Sequence, residues 1–255
     1  MGKALLGAQL YTVREACKTP ADIARSCARI KAMGYDGVQA SGIGTIEPAE
    51  LQRILVGEGL ACAATHSSLE RLERETAKVI EEHRLWGCKY TAIGGFFPTE
   101  EWTLALWQGF VQRFNAVALT FKGSGLSIGY HNHSHELAPA GGIRPQDLLI
   151  QTLDPAVWIE IDTFWIAHGG GDPAAYIDKA AGRIPCVHFK DMTITPKREQ
   201  KMTEIGDGNL NWPRIIQSCR KAGVEWYLVE RDSGDLDPFD SLKRSVENMR
   251  GPLGL

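Results

Sequence analysis

The sequence predicts an α/β protein folded as one (β/α)8 TIM barrel over residues 1–255. Three observations carry this expectation. Short apolar runs rich in β-branched and aromatic residues alternate with stretches of helical length. The alternation recurs eight times at about 30 residues per unit, the rhythm of a closed parallel barrel. An open doubly wound sheet would usually place a glycine-rich phosphate turn after its first strand. Here Tyr11 runs into Thr12, Val13, Arg14 and Glu15, and neither GxGxxG nor GxxxxGK[ST] occurs anywhere.

Each unit has its own local grounds. Residues 5–11 (LLGAQLY) read as the first strand, and the helix over 19–33 has Pro20 in its first turn and Gly34 at its end. Strand two is expected at 36–40, followed by a helix over 48–58 closed by Gly59. Strand three covers 60–65 and runs into His66; one long helix over 68–86 then ends at Gly87. Strand four is 89–93, with a helix over 100–122 ended by Gly123. Strand five is 126–131, with a helix over 145–153. Strand six is 157–162; Asp172 as cap and Pro173 at the first helical position start the helix over 172–181. Strand seven is 184–189, and Asn211 caps a helix over 211–222. Strand eight is 225–230, and the last helix covers 240–249.

Composition narrows the function classes. Net charge is −3 and no run of Lys and Arg stands out. This argues against nucleic acid or an anionic membrane as the main partner. No apolar stretch is long enough to span a bilayer, and the N-terminus is too short for a signal h-region. The six cysteines form no CxxC pair and several fall inside predicted elements, which fits buried reduced thiols in a cytoplasmic protein.

In such a barrel the active site lies at the C-terminal ends of the strands. Six of the seven histidines (66, 131, 133, 135, 168 and 188) lie at or just after strand ends. His83, inside a helix, is expected at the surface. Strand five ends in Tyr130, His131, Asn132, His133, Ser134, His135 and Glu136, and alternation puts His131 and His133 on one face. Asp162, His188 and Glu230 close otherwise apolar strands six, seven and eight. Neighbouring strands lie about 4.8 Å apart, so these three groups would gather. Mixed imidazole and carboxylate donors suit Mn, Zn, Fe or Co better than Ca. The expected centre is one divalent ion, among Mn2+, Zn2+, Co2+, Fe2+ and Mg2+. Its candidate ligands are Asp162, His188 and Glu230, with His131 and Glu136 beside them. Glu136, Glu230 and Lys190 are the expected catalytic groups. His66, His133, Trp165 and His168 are expected to bind substrate, a small sugar or polyol.

These residues resemble the xylose-isomerase-like superfamily of sugar isomerases, epimerases, inosose dehydratases and endonuclease-IV-like proteins. The carrying pieces are IDTFW (161–165), VHFKD (187–191), GDGNLNW (206–212) and VERD (229–232). The YHNH piece with Glu136 is similar to a subgroup of sugar phosphate isomerases/epimerases. The resemblance implies one divalent metal, commonly manganese, held from strands five to eight. Asp162, His188 and Glu230 match the ligands of strands six to eight. Strand five would supply His131 where ketose epimerases usually have a glutamate. In those epimerases two glutamates act as bases on opposite faces of the sugar. This chain has Glu230 and a histidine opposite, which favours one-base isomerisation or elimination. The expected activity is therefore a metal-dependent isomerase or epimerase working through an enediolate. A dehydratase or lyase comes second, and a non-catalytic sugar-binding barrel third. A homo-oligomer is compatible with the family.

Overall fold

The computed structural model describes residues 4–255. The first half of the chain forms β1 (Leu5–Gln9), α1 (Pro20–Ala32), β2 (Gly37–Ala40), α2 (Pro48–Glu58), β3 (Ala61–His66), α3 (Leu69–Arg74), α4 (Thr76–Leu85), β4 (Tyr90–Ile93), α5 (Leu104–Thr120) and β5 (Ser127–His131). The second half adds α6 (Pro145–Thr152), β6 (Trp158–Asp162), α7 (Thr163–His168), α8 (Pro173–Lys179), β7 (Cys186–Phe189), β8 (Asp191–Ile194), β9 (Gln200–Thr203), α9 (Trp212–Ala222), β10 (Trp226–Val229) and α10 (Pro238–Arg250). Eight parallel strands close in the order β1-β10-β7-β6-β5-β4-β3-β2. Helices lie between successive strands, so the expected barrel is the observed fold.

The cap chemistry sets the helix ends. Thr19 and Asp22 form a reciprocal capping box at α1, with Pro20 behind them. Gly59 and Gly223 end α2 and α9 in the left-handed conformation that a Cβ would oppose. Asp172 and Asn211 cap α8 and α9 through their side chains.

Several elements differ from expectation. The helix over 68–86 is two helices broken at Glu75, where the Thr76 hydroxyl bonds back to the Leu72 carbonyl at 2.7 Å. The helix expected from 100 starts at Leu104, because Thr103 caps it by accepting from the Leu106 amide. An antiparallel hairpin, β8–β9, grows from the end of β7. The short α7 follows β6 without a loop, because the Asp162 side chain caps it. His83 is 1% exposed, not a surface residue; its Nδ1–H donates to the Val79 carbonyl and its Nε2 faces the Thr65 hydroxyl, both at 2.7 Å. All six cysteines are buried and free. Among the described residues no helix is long and apolar enough to cross a membrane.

Two layers of core hold the barrel. The larger lies between strands and helices. The smaller fills the lower barrel with Ala63, Ala64, Ala92, Trp158, Cys186, Trp226 and Leu228. The two indoles fit because Gly129 and Gly37 stand opposite them. A Cβ on Gly129 would lie 2.4 Å from the Trp158 ring, and one on Gly37 would lie 2.9 Å from Trp226. Such a clash in a close-packed interior forces a backbone shift. Above this apolar floor the inward positions turn polar.

Candidate metal centre and active site

Strand alternation aims the site. Glu160 and Asp162 on β6 point inward, while Ile159 and Ile161 face the helices. His188 and Lys190 do the same around Phe189, and Glu230 and Asp232 around Arg231. Asp162 pairs with His188 in register across β6 and β7, and His131 pairs with Glu160 across β5 and β6. The Asn132 side chain accepts the Asp162 amide at 3.0 Å and fixes the end of β6.

The upper layer contains His131, Asp162, His188 and Glu230, all buried, with one donor atom from each within 4.8 Å of the others. His131 Nε2 lies 3.3 Å from Asp162 Oδ2, and His188 Nδ1 lies 2.8 Å from Glu230 Oε2. His188 Nδ1 and Glu230 Oε2 are buried yet have no hydrogen bond of acceptable geometry. Glu230 Oε2 faces both Lys190 and His188, and with His131 and Asp162 these buried atoms gather around one small space. Two imidazoles and two carboxylates are also the donor set of a transition-metal site. The residues present therefore fit a divalent ion.

Lys190 completes the electrostatics. Its ammonium lies 3.0 Å from Asp162 Oδ2, 2.7 Å from Glu230 Oε2 and 3.1 Å from Asp232 Oδ2. Burial alone would raise the Asp162 and Glu230 pKa values, but Lys190, His131 and His188 outweigh it and keep both ionised. Burial acts against charge on Lys190 too, and the three carboxylates reverse it, so the ammonium keeps its proton. Burial and His188 push His131 down to about 4, leaving a neutral ring able to bind a cation. Asp232 is pushed up to about 6 by burial and by Glu230.

A lower polar layer supports this one. His188 Nε2 lies 2.6 Å from Gln39 Oε1 and 3.3 Å from Glu160 Oε1. His66 Nε2 lies 2.7 Å from Glu160 Oε2. Above both layers a cavity of about 410 Å³ opens, lined by Tyr11, Ser41, His66, Gly94, Phe97, His131, His133, Trp165, Lys190, Glu230 and Asp232.

The expected site residues divide accordingly. His66, His131, His133, Trp165, Lys190 and Glu230 line the cavity, and Asp162 and His188 sit just beneath it. Two expected residues lie outside the cavity. Glu136 does not fold back over the mouth. Its carboxylate is fully buried behind β5, where Oε1 accepts from the Tyr130 hydroxyl at 2.7 Å and Oε2 from the His133 amide at 2.8 Å. The turn at His135–Leu137 puts it on the Tyr130 side of the strand, away from His131. His168 is exposed at the end of α7, stacked on Phe164, and does not reach the cavity. Asp191 also faces away; it accepts from Trp212 Nε1 at 2.6 Å and from the amides of Gly206 and Gly208, holding the GDGN loop. Of the two aromatics after β4, Phe97 is 63% exposed at the mouth, while Phe96 packs on Trp107 and Phe110. Glu160, Asp232 and Tyr11, at the ends of the same strands, were assigned no role from the sequence. The period-2 alternation applied to His131 and His133 also puts Glu160 on the face of Asp162 and Asp232 on that of Glu230.

Comparisons with known proteins agree with this architecture. An inosose dehydratase of Geobacillus thermodenitrificans is 27% identical over 180 residues, covering 62% of this chain and 57% of that protein. The chain thus spans little more than half the length of that curated relative. A crystal structure described as a sugar phosphate isomerase/epimerase from Parabacteroides distasonis superposes with a TM-score of 0.84 at 21% identity, covering 99% of this chain and 96% of that one. The IolI protein, crystallised with a zinc atom, superposes with a TM-score of 0.77 at 13% identity, covering 96% of each chain. The family model described as "Xylose isomerase-like TIM barrel" matches residues 27–251, and with a closed eight-stranded barrel around it the chain belongs to that family.

Proposed function

We propose that the protein is a divalent-metal-dependent sugar isomerase or epimerase that removes a proton beside a carbonyl. One observation carries the reading: the buried His131, Asp162, His188 and Glu230 converge at the floor of a polar cavity of about 410 Å³. These four residues would hold the ion, Mn2+ or the Zn2+ seen in the IolI neighbour. When bound, the ion supplies Lewis acidity to a carbonyl and an adjacent hydroxyl and so acidifies the C–H beside them.

The remaining work belongs to the side chains. Glu230 presents an ionised carboxylate at the cavity floor and takes the proton. Lys190, charged and 2.7 Å from Glu230, stabilises the developing enediolate oxygen and donates to it. His66 and His133 line the wall across from them and bind hydroxyls. Trp165, beside His133 with ring centroids 5.3 Å apart, offers a face for the sugar. Glu230 and Asp232 both come from the end of β10, and the β3 and β5 side presents only imidazoles. Proton removal and return on one face follow, as 1,2-isomerisation requires.

The same asymmetry supports a second reading, a dehydratase. The proton still goes to Glu230, and Lys190 then protonates a departing β-hydroxyl. The test is metal analysis followed by solvent deuterium incorporation across ketoses, inososes and 3-keto-glycosides. Isomerisation returns deuterium to a neighbouring carbon with no loss of water; elimination releases one water per turnover. Protein that binds no metal and exchanges no substrate proton would leave only a sugar-binding barrel.

A further inference from the structure

Glu160 lies beneath the cluster, fully buried, among three polar groups. His66 Nε2 is 2.7 Å from its Oε2; Gln39 Nε2 and His188 Nε2 are 3.0 Å and 3.3 Å from its Oε1. We infer that Glu160 is a positioning residue that decides which ring nitrogen of His188 and of His66 carries the proton. For His188 this rests on the metal-centre reading; for His66 it does not.

The argument follows the direction of each hydrogen bond. An ionised carboxylate only accepts, so Gln39 must turn its NH2 toward Glu160. The Gln39 carbonyl oxygen is thereby aimed at Gln9 Nε2, at 2.7 Å, and at His188 Nε2, at 2.6 Å. A carbonyl also only accepts, so both of those nitrogens donate. The Gln9 oxygen is left over and accepts the Tyr11 amide at 3.2 Å. One acid on β6 thus sets donors and acceptors across β2, β1, β7 and β3.

The two imidazoles read out the result. With a cation bound, His188 keeps its one proton on Nε2, so Nδ1 turns its lone pair to the cation position. His66 donates Nε2–H to Glu160, so its Nδ1 lone pair is left beside Gly94 on the cavity wall, where an added Cβ would lie 3.4 Å from it. That wall accepts a hydroxyl proton from a ligand and disfavours a carbonyl oxygen. The β3 side therefore selects the hydroxyl-bearing end of a sugar, leaving the carbonyl end for the cluster.

The test is the side-chain 15N spectrum of the full chain at neutral pH, metal-free and Zn2+-loaded, for wild type and Glu160→Gln. Wild type should show Nε2–H on both rings when loaded. A carboxamide has one acceptor oxygen where Glu160 has two, so at least one ring must move its proton to Nδ1. If His66 moves, zinc affinity stays near the wild-type value. If His188 moves, affinity falls roughly 10–100-fold, as for loss of a partner that orients a ligand. Both rings keeping Nε2–H would overturn the inference. So would two ions per chain, because His66, Glu160 and His188 would then be ligands themselves. If wild type binds no zinc, the metal reading fails, and the metal-free His66 spectrum still decides its own half. Gln39→Leu is the second variant. It removes the partner of His188 but leaves the His66–Glu160 pair, so zinc should weaken with the His66 signal unchanged. A change at His66 there would overturn the inference.

Discussion

Replacing His83 with Gln should flatten the acid side of the stability profile. His83 is sealed between the Val79 carbonyl and the Thr65 hydroxyl, and burial pushes its pKa from 6.5 down to about 4. The folded ring stays neutral at a pH where the unfolded chain binds a proton. A depressed histidine therefore costs stability as pH falls, starting near 6.5 and saturating near 4. At about 1.4 kcal/mol per unit, the loss between pH 7.5 and pH 5 is roughly 2 kcal/mol. For a chain of this size that is about 4–8 °C in Tm. The assay is a thermal melt of wild type and variant at both pH values. The variant starts lower at pH 7.5, having lost two buried hydrogen bonds, but its drop on acidification should be smaller by that amount. Equal drops in the two proteins would refute the argument and show that the ring protonates freely when folded.

Four further outcomes follow from the site. Asp162→Ala and His188→Ala should each lower metal affinity at least about 100-fold by calorimetry, with the barrel's far-UV spectrum retained; full metal occupancy in both would remove these residues from the centre. Glu230→Gln should lower substrate deuterium exchange by about 10²–10⁴-fold, the usual range for general-base loss, and a wild-type rate would move the base elsewhere. Glu136→Gln should leave metal content and exchange intact while lowering stability by about 1–3 kcal/mol, because the amide can satisfy only one of the Tyr130 and His133 donors; lost exchange would restore Glu136 to the mechanism. Phe97→Ala should raise KM several-fold with little change in kcat or Tm, since the ring is largely exposed and touches the cavity only at its mouth; a collapse in kcat would show that it orders the chemistry.

Period and punctuation made the barrel legible. Apolar runs of strand length, each closed by glycine or a cap after the following helix, leave little topological freedom. The upper layer was legible because Asp162, His188 and Glu230 are single polar residues at the ends of apolar strands. Alternation puts Glu160 on the same face as Asp162, but what it does there is seen in its hydrogen bonds to His66 and Gln39. Glu136 was misplaced because sequence does not specify which way a short 3-10 turn carries a side chain around the end of β5. His83 was misread because Glu81, Glu82 and Arg84 surround it and imitate a solvated face. Asp162 does two things at once: Oδ1 caps α7 through the Trp165 amide while Oδ2 faces His131 and Lys190.

Trp158 and Trp226 give the molecule one open end. Packed against Gly129 and Gly37, they seal the barrel below the polar layer, so traffic to the cluster passes between Tyr11, Phe97 and Trp165. On the proposed reading, a hydrogen lifted from the carbon of a bound sugar lies between that sugar and this floor. Its original isotope has time to be handed back before bulk water replaces it. Substrate tritiated at the reacting carbon should therefore carry part of its label into product, and widening the mouth should wash more of that label into solvent.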